Sequence, residues 1–135
     1  MPTGKTKDAG WEIGVSATLA HPIAEVWSLL TSASGISIWL GDGVPSVGAK
    51  GETYATAGGT TGEIRSHHPL NRIRLTMQPP DWDHETTVQL AVQSKGERTR
   101  LNLHQERLAD SDERERQRAH WKRVAEALAA ELARR

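Results

Sequence analysis

Toward its C-terminus this sequence changes period, and that change constrains the fold more than any other feature. In "RTRLNLHQERL" (98–108) apolar and polar residues alternate, whereas beyond "ADSD" Trp121, Val124, Ala125, Leu128 and Leu132 recur at spacings of three and four. Period two buries one face of a strand, and a period near 3.6 buries one stripe of a helix. A strand and a helix met in that order each need cover for an apolar side, and a sheet gripping a helix supplies both. Asp110 followed by Glu113 predicts a capping box at the helix start. Asp110/Arg114, Asp112/Arg116 and Glu131/Arg135 stand i,i+4 with the acid first, which suits a solvated helix face. A coiled coil is excluded, because the apolar stripe lasts only about three turns and lacks sustained heptads.

Upstream, "WEIGVSATL" (11–19) alternates and predicts a half-buried strand. His21 is expected as N-cap and Pro22 as first residue of a helix carrying Ile23, Val26, Trp27 and Leu30, and 32–38 holds a further turn interrupted by Gly35. "GDGVPSVGAKG" reads as loop around a short strand. "ETYATA" and "TGEIRSH" flank a turn, "RIRLTM" is a strand, and "ETTVQLAVQ" and "RTRLNLHQERL" are two more joined by "SKGE". Residues 1–10, small and polar, are expected to be a flexible leader to a single domain over 11–135.

Lys+Arg and Asp+Glu are both 17, which offers no electrostatic footprint for a phosphate backbone and argues against nucleic acid. No apolar run suits a membrane span and no signal peptide opens the chain, so a cytoplasmic location is expected. The absence of cysteine removes disulfides, thiol catalysis and thiolate metal sites. Five Trp, one Tyr and no Phe leave the core to aliphatic residues. Each Trp brings an N–H that needs a partner when buried.

Five stretches carry a family likeness: "HPIAEVWSLLTSASGISIWLG" with Val26–Trp27 and Trp39–Leu40–Gly41, "GETY", "TGEI", "NRIRLTMQPPDW", and "TTVQLAVQSKGERTRLNLHQERLADSDERERQRAHWKRV". Together they span nearly all of 13–132. In their order and spacing the chain resembles the START-like, or SRPBCC, superfamily, and within it the homologues of the heat-shock-protein-90 ATPase activator. The resemblance implies an α+β helix-grip fold. In it a curved antiparallel sheet of about seven strands wraps a long C-terminal helix, short helices lie between strands 1 and 2, and a cavity lies between sheet and helix. Relatives bind apolar small molecules, cyclise polyketides or assist chaperones. Met77 stands where one subgroup usually has Trp, which would soften or enlarge a pocket.

Strand parity turns Tyr54, Thr56, Ile64, Ser66, Leu75, Met77, Val88, Leu90, Leu101, Leu103 and Gln105 inward, with Tyr54 and Gln105 as polar handles. Arg114, Gln117 and Arg118 project on the stripe of Trp121. The expected cavity is therefore lined by Trp39, Tyr54, Thr56, Ile64, Ser66, Leu75, Met77, Leu90, Leu103, Gln105, Trp121 and Ala125. Its mouth is ringed by Trp82, Arg114 and Gln117, unless those helical turns overhang into water and pair with Asp81 or Asp83. No metal is expected: His67 and His68 point to opposite faces, His104 points outward, and Asp81, Asp83 and His84 have no recognised ligand spacing. No cofactor and no catalytic residue is assigned, since the chain has no nucleophile elbow and no inward acid–base pair; Glu52 shares parity with Tyr54 but lies beside a glycine turn.

The leading expectation is a cofactor-independent binding protein for a small apolar or aromatic molecule, monomeric or homodimeric. The alternatives are a chaperone-regulator-like interaction module, which would need an apolar patch on an outer face carrying Arg72, Arg74, Thr76, Arg98, Arg100, Asn102 and His104, and a small cyclase- or hydrolase-type enzyme.

Overall fold

The computed structural model describes Lys5–Thr6 and residues 10–135. Its elements are β1 (Lys5–Thr6), β2 (Gly10–Leu19), α1 (Ile23–Thr31), α2 (Ala33–Trp39), β3 (Thr53–Ala55), β4 (Thr61–His68), β5 (Arg72–Met77), β6 (Thr86–Lys95), β7 (Arg98–Leu108) and α3 (Ser111–Ala133). One antiparallel sheet takes the order β1-β2-β7-β6-β5-β4-β3, so the first long strand lies beside the last. The seventh strand, β1, is a two-residue piece pairing with Gly10 and Trp11; the other six make the body of the sheet. The rest of the expected leader lies outside the described residues. The helix-grip architecture expected from the resemblance is the one observed.

Alternation places Ile73, Leu75, Val88, Leu90, Leu101 and Leu103 on the inner face, all at most 1% exposed. Against them α3 lays Trp121, Val124, Ala125, Leu128 and Leu132, the stripe predicted from its period. Burying an aliphatic side chain of this kind contributes about 1.5–3 kcal/mol. The expected capping box forms with one displacement. Asp110 Oδ1 accepts from Glu113 N at 2.8 Å. The return bond from Glu113 Oε1 reaches Ala109 N at 3.1 Å, one residue before the cap. Two donors at the helix start are satisfied all the same.

Several local expectations need correction. Helix α1 begins one residue later than predicted, with Pro22 rather than His21 as its cap, because the Pro22 carbonyl itself accepts from Glu25 and Val26. Gly35 does not interrupt α2 but allows it, since a Cβ there would stand 1.7 Å from the Leu29 carbonyl oxygen. Only glycine lets the two helices meet so closely. No strand forms within 41–51, which leaves five strands after the helices. Two bulges break strand parity. In β4 the register skips between Ile64, opposite Leu75, and Ser66, opposite Arg74. Where β2 meets β7, Trp11 pairs with Leu108 and Ile13 with Gln105. Arg107 takes up the slack there with φ +68°. An extra residue on one strand of an antiparallel pair is accommodated in this way.

Candidate functional site

The space between sheet and α3 is occupied by side chains. At its centre Gln105, fully buried, donates from Nε2 to Thr86 Oγ1 at 2.9 Å and accepts on Oε1 from Gln117 Nε2 and Trp121 Nε1, both at 2.8 Å. Thr86 Oγ1 donates onward to Met77 O at 2.6 Å. The Gln105 amide is thus engaged at both its oxygen and its nitrogen, and the residue expected as a ligand handle fastens β6, β7 and α3 together. Leu90, Leu103, Trp121 and Ala125 are buried in the same core. Trp39 is buried too, its indole N–H donating to the Leu30 carbonyl at 2.8 Å.

The expected mouth residues are also engaged. Arg114 pairs with neither Asp110 nor the 81–84 loop. Its Nε donates at 2.7 Å to the Glu12 carbonyl, in the stretch where the β2 register skips, and its Nη1 pairs with Glu115. Arg118, expected on the inward stripe, is exposed. Trp82 stacks on His84 at 5.1 Å and 12°. His84 Nε2 meets Glu113 Oε1 at 2.6 Å and its Nδ1 meets Asp83 Oδ1 at 3.0 Å, which joins the 79–85 loop to the start of α3. The hydrogen bond to Asp83 raises the imidazole above its ordinary range, against a burial cost, and Glu113 adds to the rise.

Thr56 lies in the β3–β4 turn, where its hydroxyl accepts from Thr60 N at 3.0 Å. Ser66 faces outward, contrary to its parity, because the β4 bulge turns it over; its Oγ is buried with no partner among the described residues. Met77 ends β5 against the core.

Open space lies instead at the β3 edge. A cleft of about 620 Å³ runs beneath the loop joining α2 to β3. That volume falls in the range of small-molecule sites. The lining includes Leu40, Val44, Pro45, Val47, Glu52, Tyr54, Ala55, Ile64 and Leu75. Of the residues expected in a cavity, the structure brings Tyr54, Ile64 and Leu75 to it. The loop residues read from sequence only as turn around a short strand, although an apolar "VPSV" among glycines is a legible signal of something to cover.

Tyr54 is positioned by a glycine. It pairs across the ladder with Gly62, where a Cβ would stand 1.9 Å from Thr76 O and 2.6 Å from Tyr54 Oη. The ring can therefore lie over the bare backbone, and its hydroxyl donates to Thr76 O at 2.6 Å. Burial, with Glu85 adding, pushes the phenol well above its ordinary value. It is neutral near pH 7 and holds its proton. Glu52 is the charged residue of the lining, and its Oε2 accepts from Ala49 N at 2.6 Å, bracing the loop. The cleft thus offers a mixed wall, apolar side chains beside polar ones, of which Tyr54 and Glu52 are already hydrogen-bonded.

The family model described as "Activator of Hsp90 ATPase homolog 1-like protein" matches residues 20–133. No curated protein matches the chain. Among solved structures, DynU16, a protein in the dynemicin biosynthetic locus, superposes with TM-score 0.76 at 19% identity, covering 90% of this chain and 47% of that one. The chain thus spans about half the length of DynU16. CalU16 from Micromonospora echinospora gives 0.75 at 22% identity, over 93% of this chain and 77% of that one. The Aha1 dimer from Colwellia psychrerythraea gives 0.73 at 13% identity, over 90% of this chain and 95% of that one. These likenesses concern the fold. Among the described residues no helix is long and apolar enough to cross a membrane.

Proposed function

Starting from the fact that the chain belongs to the activator of Hsp90 ATPase homolog 1-like family, we propose that it is a binding module for a small, neutral, apolar or aromatic molecule held in the cleft beneath the α2–β3 loop. One observation carries this reading: a cleft of about 620 Å³ brings Leu40, Val44, Val47, Tyr54, Ile64 and Leu75 together beside Ser46, Thr53 and a single braced carboxylate. The apolar part of its lining rewards burial of apolar ligand surface, and the Tyr54 ring supplies a flat face for stacking. Binding needs no cofactor and leaves the chain a monomer or homodimer, with the cytoplasm as its place of action.

Chemistry within the cleft has less support. Tyr54 holds its proton against Thr76, and Glu52 is tied to the loop backbone. Among the described residues that line the cleft, these two titratable groups are thus already engaged. The interaction-module reading draws on the family's description. Its apolar contact would be Leu70, 49% exposed at the tip of the β4–β5 turn. One side chain is little for a stable interface.

A thermal-shift screen of apolar and aromatic compounds tests the proposal against Val47→Asp, which sets a charge in the apolar part of the cleft lining from a half-buried loop position. Ligands should raise the wild-type melting temperature and leave the variant's unchanged. Equal shifts in both proteins would move the site elsewhere.

A further inference from the structure

We infer that the outer face of the sheet carries a site for a divalent transition-metal ion, built from Glu12, His104 and Glu106. The three side chains are half-buried, and each offers one ligand atom within 4.8 Å of the others. His104 and Glu106 stand two apart on β7 and so share its outer face. Glu12 comes from the neighbouring β2, its Oε2 3.9 Å from His104 Nε2.

The local backbone accounts for this convergence. Glu12 lies where the β2–β7 register skips. A bulge re-aims a side chain relative to a regular ladder. The Glu12 carbonyl is taken by Arg114 of α3, while its carboxylate lies beside His104. Gly14, the register partner of His104, puts no side chain over the imidazole; a Cβ there would stand 3.9 Å from His104 Cδ2. Glu106 is oriented from its other side, where Arg74 Nη2 donates to Oε1 and Arg74 Nη1 donates to Gln89 at 3.3 Å. A donor held on one carboxylate oxygen orients the group and leaves its second oxygen for an ion.

One imidazole with two carboxylates is a mixed nitrogen and oxygen set. It suits Zn2+, Mn2+ or Fe2+ better than Ca2+ or Mg2+, which favour oxygen alone. Three protein ligands at a half-exposed position leave the remaining coordination sites to water.

The test uses the full chain after chelator treatment, titrated with ZnCl2 by calorimetry, and NMR of its imidazole nitrogens. Saturable one-to-one binding is expected, with the His104 ring signals the first to move. His104→Ala and Glu12→Gln should each weaken Zn2+ binding about tenfold or more, and His68→Ala, at an exposed histidine away from the cluster, should leave it unchanged. If His104→Ala does not fold, the wild-type imidazole signals decide the matter alone. The inference is overturned by absence of saturable Zn2+ binding, by unweakened binding in a folded His104→Ala, or by ring shifts that start at another histidine.

Discussion

At the scale of single residues, the structure turns on a few side chains whose roles can be measured. Leu70 follows Pro69 in the turn closed by Asn71 N to His68 O at 3.0 Å, and it holds φ +61° while half exposed. That position of a type II turn suits glycine, and a left-handed conformation costs another residue about 1–2 kcal/mol. Leu70→Gly relieves that cost but frees the unfolded chain, so it should stabilise the protein by about 0.5–1 kcal/mol in urea unfolding. Gln105→Ala should do the opposite. It strands the Trp121 and Gln117 donors inside the core. A loss of about 3 kcal/mol is expected in the same assay from unsatisfied groups plus lost packing. Gly62→Ala would drive a methyl into Thr76 O and the Tyr54 hydroxyl. It should destabilise by about 1–3 kcal/mol and abolish binding of any cleft ligand.

At the scale of elements, the clasp between the 79–85 loop and α3 is the most informative. Glu113 caps the helix through Ala109 N and holds His84 with the same oxygen. Glu113→Ala should cost about 1–2 kcal/mol through loss of the cap and the buried hydrogen bond. Glu113→Gln keeps a capping oxygen and should chiefly lower the His84 titration midpoint, read by NMR. The sign of the pH dependence follows from the directions of shift. His84 is raised above 6.5. Its contribution is therefore complete below that value and is lost as pH climbs through the raised midpoint. Asp83 is held below 3.8 by its hydrogen bond to His84. Its contribution is present above that value and fades on acidification. The clasp is thus firmest between the two. His120, lowered by burial with Arg123 adding, works against the fold as it protonates. Ring-by-ring titration therefore separates what a global melting curve would mix.

At the scale of the whole molecule, what the sequence made legible was what periodicity encodes. The switch from period two to 3.6 located β7 and α3, the stripe from Trp121 to Leu132 was the buried one, and the resemblance supplied the topology. Parity failed at Ser66 because a bulge inserts a residue without any local composition signal. It succeeded at Gln105 in direction but not in role, since pattern shows which way a side chain points and not what meets it there. The cleft escaped because its wall is a loop, whose path is set by Gly43, Gly48 and the Glu52 brace rather than by any period. Fold and core were therefore readable, and the open surface was not.

This cleft is proposed to receive a small apolar or aromatic molecule. The most direct measurement is amide chemical-shift mapping of the full chain with an aromatic fragment that raises its melting temperature. Saturable shifts concentrated at Leu40–Ala55, Ile64 and Leu75, and absent in Val47→Asp, are the predicted result. Shifts clustered elsewhere, or no saturable shift with any fragment, would contradict it.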